Sequence, residues 1–198
     1  MDDHPLFRAG VVAALQKDPR LEICAETDHA LEARALAERL KPDAAVVDLM
    51  LRDDDGLKLL RELRTDHPGL RLVVLSMLDA VIYGPRARQA GANAFVSKLD
   101  GPAAIIAALH QDENTSGSGR PAVPATNDEF SALTERELHV FTQLGLGRST
   151  REIATALGVG VKTVETHREN IKAKLGLPHA NALVARAVLW ARGQGLVR

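Results

Sequence analysis

The sequence predicts an α/β domain built on a parallel sheet, followed by a smaller domain made only of helices. Three observations indicate this. In the first 110 of the 198 residues, short continuous apolar runs alternate with stretches of helical periodicity. A polar stretch rich in Gly, Ser and Pro then separates two halves, and beyond it only helix signals remain. A chain of this length has room for two small domains.

The first half contains four candidate strands whose apolar residues are continuous rather than alternating. Such strands are buried on both faces, which is typical of a parallel sheet covered by helices on each side. In sheets of this kind, ligands bind beyond the carboxyl ends of the strands. The predicted strands are 21–25, 44–49, 72–76 and 94–97. The predicted helices are 6–16, 31–40, 57–63, 82–90 and 103–110.

The second half follows a predicted linker at 111–130, where Ser, Gly, Pro, Asn and Asp predominate. Two capping boxes predict helix starts, because in each a Ser or Thr and a Glu three residues later bond one another's backbone N–H groups. They are Thr134 with Glu137 and Ser149 with Glu152. Two further helices are predicted over 161–175, ending at Gly176, and over 181–191.

Composition excludes several classes of protein. Apolar residues make up 45% and charged residues 26%, which excludes wholesale disorder. Cys24 is the only cysteine, so neither an intramolecular disulfide nor a multi-cysteine metal site can form, and a reducing, cytoplasmic setting is expected. No apolar run is long enough to span a bilayer and the acidic start does not resemble a signal peptide, so we expect no membrane partner.

The net charge of −1 is the sum of an acidic first half and a basic second half of the chain. Residues 131–198 carry ten Lys or Arg against five Asp or Glu, whereas residues 1–110 carry 14 against 17. A basic domain attracts polyanions, so double-stranded DNA is the expected partner of the second half.

Acidic side chains meet a hydroxyl and a lysine at the predicted ligand-binding edge of the sheet. The residues are Asp2, Asp3, Asp48, Ser76 and Lys98. Each alone has a plain structural interpretation, such as a strand-end cap, a turn residue or a surface charge. Together, three carboxylates repel one another unless a cation lies among them, and hard oxygen ligands suit Mg²⁺. A carboxylate beside Mg²⁺ and a lysine can attack a phosphoryl group.

Several segments resemble the receiver domain of bacterial response regulators of the NarL/FixJ subfamily. They are Asp2-Asp3-His4-Pro5-Leu6-Phe7-Arg8, Val47-Asp48-Leu49-Met50, Asp55-Gly56, Leu75-Ser76 and Lys98. The resemblance implies a flavodoxin-like receiver domain at 1–110 with strand order 2-1-3-4-5. It also implies a sensor histidine kinase as a partner.

The same resemblance implies a role for each residue of the acidic cluster. Asp48 would accept the phosphoryl group, and Ser76 and Lys98 would stabilise its oxygens. Phe95 lies where the family has a switch aromatic that rotates on phosphorylation; a plain core phenylalanine is an equal alternative. The ligands of Mg²⁺ would be Asp2, Asp3, Asp48 and the backbone carbonyl of Met50.

The resemblance departs from the family at the start of the chain. Family receivers open with an apolar central strand before the acid pair, whereas here only Met1 precedes Asp2. Loss of a central strand removes two ladders and much of the core. Three explanations stay open: an alternative upstream start, which we favour, a truncated chain, or a receiver that is degenerate in nature.

The second half resembles the LuxR-type helix-turn-helix domain. Ala154, Gly158 and Val164 have the spacing of a small residue, a turn glycine and a core residue in such a motif. The segments that carry the resemblance are Leu133-Thr134-Glu135-Arg136-Glu137, Glu152-Ile153-Ala154, Lys162-Thr163-Val164-Glu165-Thr166-His167-Arg168 and Lys174-Leu175-Gly176. It implies a four-helix DNA-binding domain at 131–198.

The predicted helix 161–175 has one apolar side, formed by Val164, Ile171 and Leu175, so its other side is expected to face DNA. The candidate DNA-binding residues are Lys162, Thr163, Glu165, Thr166, Arg168, Glu169 and Lys172, with Arg148 and Arg151 before the helix. Basic side chains can neutralise phosphates. The two glutamates can accept hydrogen bonds from cytosine N4, or they can belong to charge pairs within the helix, and both interpretations stay open.

The last predicted helix carries an apolar stripe that is either core or a dimer face. By the resemblance, part of it forms a homodimer on DNA, which would read two half-sites. The candidate dimerisation residues are Asn181, Val184, Ala185 and Val188.

These observations predict a DNA-binding transcription regulator controlled by phosphorylation of Asp48, and not an enzyme. One alternative is a phosphorylation-independent DNA-binding regulator with a degenerate or truncated receiver. A second is a phosphoryl-transfer or hydrolytic enzyme, which the sequence disfavours because it has no Gly-rich phosphate loop and no nucleophile elbow. A third is a LuxR-type regulator that senses a small molecule.

Overall fold

A computed structural model describes residues 1–51, 55–111 and 128–197. The chain divides into two compact units, Met1–Val123 and Pro124–Arg198. Most of the predicted linker lies outside the described residues, and each unit is described by itself. None of the helices in the described ranges is long and apolar enough to cross a membrane.

The first unit contains a parallel sheet whose described strands lie in the order β1-β2-β3. The strands are β1 (Ala44–Val47), β2 (Arg71–Ser76) and β3 (Ala94–Ser97). The helices are α1 (Pro5–Leu15), α2 (Ala30–Leu40), α3 (Gly56–Asp66), α4 (Ala80–Gln89) and α5 (Pro102–His110). The predicted α/β class with a parallel sheet is confirmed.

The middle strand β2 organises the core of this unit. Val73 pairs with Val46 of β1 on one side and with Ala94 of β3 on the other. Val73 and Leu75 pack with Leu15, Val96, Ile105 and Ala108 in one buried apolar cluster. Each fully buried aliphatic side chain of this kind contributes about 1.5–3 kcal/mol. The sheet therefore holds the ends of β1, β2 and β3 at one edge.

The strand predicted at 21–25 is wrong, because these residues form no strand in the structure. A strand forms only when a neighbouring strand accepts and donates its hydrogen bonds. In the predicted order 2-1-3-4-5, segment 21–25 would pair with the first strand of the sheet, which would lie between this segment and β1. Only the first residue of the chain occupies that position. The Met1 ammonium donates to the Val46 carbonyl at 2.7 Å, and the Asp48 N–H donates to the Met1 carbonyl at 3.1 Å. These two bonds have the pattern of a parallel ladder one residue long.

An open cavity of about 770 Å³ lies beside this single-residue ladder. We call it the strand groove; among its lining residues are Val11, Leu15, Leu21, Ile23, Leu36 and Val46. Burial lowers the pKa of the Met1 amine, and the nearby charge of Asp2 offsets this only in part. The first unit therefore has a groove where a central strand is expected; the groove is lined by apolar side chains, by charged ones such as Arg20, Glu22 and Arg71, and by the buried Met1 amine.

The second unit is helical throughout its described part, as predicted. A short 3-10 helix (Asp128–Phe130) precedes four α-helices. These are α6 (Glu135–Gly145), α7 (Thr150–Leu157), α8 (Val161–Lys174) and α9 (Ala180–Gly193). Gly158 adopts a left-handed conformation, with φ of 64°, and so makes the turn between α7 and α8.

Both predicted capping boxes form. Thr134 and Ser149 each accept a hydrogen bond from the backbone N–H of the glutamate three residues later, and each glutamate accepts one in return. Glu137 is buried and also accepts a 2.6 Å bond from Lys174 at the end of α8. This carboxylate therefore caps α6 and ties α8 to it.

Close packing of α6 against α9 depends on a glycine. A Cβ atom on Gly145 would lie 2.5 Å from the Ala187 carbonyl oxygen and 2.9 Å from the Ala191 Cβ. Nearby, the rings of Phe130, Phe141 and Trp190 contact one another, with centroids 5.2–5.9 Å apart. The helices can approach this closely only where no side chain intervenes.

We expect Gly145→Ala to destabilise the second unit by about 2 kcal/mol, because overpacking outweighs the better helix propensity of alanine. Thermal unfolding of the full chain, followed by Trp190 fluorescence, measures this. Gly193→Ala is the matched control, since a Cβ there meets no atom within 4 Å. Equal unfolding temperatures for the two variants would contradict the proposed close contact.

Candidate functional sites

Three carboxylates meet at the carboxyl edge of the sheet. Asp48 follows β1 directly and is 2% exposed, and Asp2 and Asp3 are also buried. The bond from the Asp48 N–H to the Met1 carbonyl brings the start of the chain beside β1. Asp2, Asp3, Asp48 and His4 each offer a ligand atom, and these atoms lie within 4.8 Å of one another. The donor set is dominated by hard carboxylate oxygens, which suits Mg²⁺.

Lys98 bridges two of these carboxylates. Its Nζ lies 2.6 Å from a carboxylate oxygen of Asp48 and 2.6 Å from one of Asp2. Burial lowers the pKa of Lys98, but the charges and hydrogen bonds of Asp48 and Asp2 outweigh burial, so its pKa lies above the ordinary value. The ammonium is therefore charged at neutral pH and holds two carboxylates together.

Ser76, the last residue of β2, lies at the same edge of the sheet as Lys98, which follows β3. Ser76 is fully buried, and its hydroxyl accepts a 3.3 Å bond from the Leu78 N–H. The Lys98 N–H donates to the Ser76 carbonyl at 2.9 Å, so the two residues are joined through the backbone. Phe95 lies on β3 opposite Val74 and is half-buried, neither fully in the core nor fully exposed.

The loop after β1 is shaped by its own polar groups. The second carboxylate oxygen of Asp48 accepts from the Met50 N–H at 2.9 Å. Asp55 caps α3 by accepting from the Lys58 N–H at 3.1 Å. A Cβ atom on Gly56 would lie 2.5 Å from the Leu49 Cα, so only glycine lets α3 begin this close to the carboxyl end of β1. Arg52, Asp53 and Asp54 lie outside the described residues.

Three contributors to this site were not assigned a role from the sequence. The Phe7 ring lies 4.4 Å from the Lys98 Nζ, at cation–π distance. Arg8 donates to the Asp2 carbonyl at 2.6 Å, and His4 Nδ1 lies 2.8 Å from an Asp3 oxygen. All three belong to the stretch that begins Asp2-Asp3, so their proximity in sequence was the available signal.

The second candidate site is the outer face of α8. Val164 and Ile171 are fully buried, whereas the predicted core residue Leu175 is only half-buried. Among the candidate DNA-binding residues, Lys162, Thr163, Glu165, Thr166, Glu169, Arg148 and Arg151 are exposed. The other two, Arg168 and Lys172, are half-buried.

Side chains on this face are already paired with one another. Arg168 donates to the Thr150 hydroxyl at the start of α7. Lys162 Nζ lies 3.6 Å from Glu165, and Lys172 Nζ lies 2.8 Å from Glu169. Each of the two glutamates therefore forms an ion pair with a lysine of α8.

The apolar stripe of α9 divides into two faces. Leu183, Ala187 and Ala191 are fully buried in the core of the unit. The four candidate dimerisation residues are not part of that core. Asn181, Val184 and Ala185 are exposed, and Val188 is half-buried. A further apolar residue, Leu189, is 62% exposed. The structure therefore leaves an apolar outer face on α9 next to the buried one.

Comparison with known proteins identifies the family of each unit. The family model "Response regulator receiver domain" matches residues 1–110, and the model "Bacterial regulatory proteins, luxR family" matches residues 131–187. The chain is 32% identical over 205 residues to the nitrate/nitrite response regulator protein NarP of Escherichia coli K12, across 98% of this chain and 94% of that protein. It is 28% identical over 208 residues to the response regulator protein VraR of Staphylococcus aureus, across 100% and 97%.

Solved structures share the fold. The structure of RcsB from Salmonella enterica serovar Typhimurium, bound to a promoter, covers 94% of both chains with a TM-score of 0.54 and 21% identity. The two family matches together span nearly all of the described residues outside the linker. The chain belongs to the response regulator family and is a phosphorylation-controlled, DNA-binding transcription regulator with a receiver domain and a LuxR-type helix-turn-helix domain.

Proposed function

We propose that Asp48 is the phosphoacceptor and that a sensor histidine kinase is the donor. The observation that carries this proposal is the position of Asp48, a buried carboxylate at the end of β1 whose oxygen lies 2.6 Å from the Lys98 ammonium. A carboxylate oxygen of Asp48 attacks the phosphorus as the bond from phosphorus to the histidine nitrogen breaks. The electron pair of that bond stays on the histidine nitrogen.

The neighbouring residues fit this transfer. Lys98 moves from the Asp48 carboxylate to an oxygen of the new phosphoryl group, which preserves its charge pairing. The Ser76 hydroxyl, at the end of the adjacent strand, donates to another phosphoryl oxygen. Phe95, half-buried on β3 next to that strand, is the proposed switch residue.

Mg²⁺ is the proposed cofactor of the acidic cluster. Asp2, Asp3, Asp48 and the Met50 backbone carbonyl would hold it. The fit rests on the donors themselves: the carboxylates bring three negative charges, and Lys98 neutralises only one. When bound, the ion neutralises charge on the transferring phosphoryl group.

In the second unit, we propose that α8 contacts double-stranded DNA and that the outer face of α9 forms the homodimer on DNA. The basic candidates Lys162, Arg168, Lys172, Arg148 and Arg151 would contact phosphates, and Thr163 and Thr166 lie on the same face. The proposed domain limits are 1–110 for the receiver, 111–130 for the linker and 131–198 for the DNA-binding domain. Matches at 1–110 and 131–187 support these limits.

Intact-mass measurement of the full chain, incubated with acetyl phosphate and Mg²⁺, tests the proposal. We expect one added phosphoryl group on the wild type, none on Asp48→Asn, and none when EDTA removes the metal. Asp43→Asn is the matched control, because Asp43 is an exposed acid just before β1. An adduct on Asp48→Asn would contradict the assignment.

The alternative weighed from the sequence is phosphorylation-independent DNA binding with a degenerate receiver, and the close contacts of Asp2 with Lys98 and Arg8 do not favour it. It predicts no adduct on the wild type together with full DNA binding. DNA binding that strengthens or weakens after incubation with acetyl phosphate, and only when Asp48 is present, would exclude this candidate.

A further inference from the structure

The outer face of α8 carries two acids where a DNA-binding surface usually benefits from positive charge. Glu165 and Glu169 lie one helical turn apart, and their side chains are 53% and 70% exposed. Val164 and Ile171, on the opposite side, are fully buried. The two carboxylates therefore project away from the core of the unit, on the face assigned to DNA.

Helix stability does not account for the two acids. Glu165 pairs only loosely with Lys162, at 3.6 Å, and the lysine is 92% exposed. Glu169 pairs more closely with Lys172, at 2.8 Å, but its own side chain is 70% exposed. Exposed pairs of this kind contribute a few tenths of a kcal/mol, and the like charges of Glu165 and Glu169 cost a similar amount at this spacing. The cation three residues after Glu165, Arg168, is instead bonded to Thr150. The acids thus gain little from their own helix.

Acids facing a polyanion weaken phosphate binding unless they receive hydrogen bonds from the DNA. In the major groove, a glutamate accepts from the N4 amino group of cytosine. Residues four apart on a helix are about 6 Å apart along its axis, which is roughly two base-pair steps. The two carboxylates are therefore spaced to meet two amino groups along one groove.

We infer that Glu165 and Glu169 read cytosines, so each half-site bound by this chain has two C·G pairs about two steps apart. On binding, Lys162 and Lys172 leave their glutamates for the phosphates that flank the groove. This inference rests on the proposed role of α8 as the DNA-reading helix. It assigns base selection to the acids and affinity to the lysines.

Selection of duplexes from a random-sequence pool by the full chain tests the inference. The selected duplex is then compared with versions in which one C·G pair is replaced by T·A, which removes the amino donor, or by A·T, which places adenine there. We expect each T·A replacement to weaken wild-type binding about tenfold. Glu165→Gln should lose discrimination at one of the two positions and Glu169→Gln at the other, with adenine tolerated in place of cytosine because glutamine pairs with adenine.

Lys162→Gln is the matched control. It should weaken binding to every duplex alike and reduce the salt dependence by about one counterion. The inference is overturned if the selected site contains no such cytosines, or if the glutamate variants change affinity for all duplexes by one common factor. A chain that selects no sequence at all would instead overturn the proposed role of α8, so the two failures are distinguishable.

Discussion

An apolar five-residue segment placed ahead of Met1 is expected to stabilise the first unit strongly. Such a segment would enter the strand groove and continue the ladder that Met1 begins with Val46 and Asp48. Burial of five apolar side chains, less the cost of ordering them, gives a net gain of about 3 kcal/mol. For a unit of this size that corresponds to roughly 10–20 °C in unfolding temperature.

The same extension should change the pH dependence of stability. Burial lowers the pKa of the Met1 amine below its ordinary value of 8.0, so the unfolded chain binds this proton more readily than the folded chain. Stability therefore rises as pH increases from the folded pKa to about 8 and is level above it. In the extended chain the amine becomes an amide, so this slope disappears.

The matched control is an extension of five Gly and Ser residues, which also removes the amine but fills no apolar space. Thermal unfolding of the wild type, the apolar extension and the Gly/Ser extension between pH 6 and 9 separates the gain in stability from the change in its pH dependence. Both extensions should flatten the slope, and only the apolar one should raise the unfolding temperature by the full amount. Equal gains from both extensions would mean that the groove does not accept a strand.

Segment 21–25, which was predicted to be a strand but forms none, shows that strands are harder to predict from the sequence than helices. Its apolar run resembles the runs of β2 and β3, but those segments have partners on the sheet and this one does not. A helix such as α3 satisfies its hydrogen bonds internally, so capping residues and periodicity suffice to predict it. A strand depends on a partner elsewhere in the chain, which local sequence does not contain.

The sequence predicted which residues meet in the acidic cluster better than it predicted the contacts that their side chains make. Parallel strands end at a common edge, so Asp48, Ser76 and Lys98 had to converge once the strands were located. The cation–π contact of Phe7 with Lys98 and the bond from Arg168 to Thr150 depend instead on side-chain rotamers across two elements. Periodicity places a residue on a face, but it does not select the neighbour that the side chain touches.

Lys98→Gln is expected to destabilise the first unit by about 3 kcal/mol at pH 7 in EDTA, because it leaves buried carboxylates without a cation. The Lys98 side chain is 5% exposed and bridges Asp2 and Asp48, so no solvent shell replaces it. Mg²⁺ should restore much of the loss by supplying the missing positive charge. The unfolding temperature of the variant should thus rise more with Mg²⁺ than that of the wild type.

The same variant separates stability from chemistry. With Mg²⁺ present and the fold restored, labelling by acetyl phosphate should still be slower by about 100-fold, because no ammonium stabilises the charge on the transferring phosphoryl group. Lys58→Gln is the matched control: Lys58 is 71% exposed on α3, and its loss should alter neither property. If Lys98→Gln unfolds at the wild-type temperature in EDTA, the carboxylates do not need this cation. If it is labelled at the wild-type rate, Lys98 plays no part in the transfer, and the roles proposed for Asp48 and Lys98 must be separated.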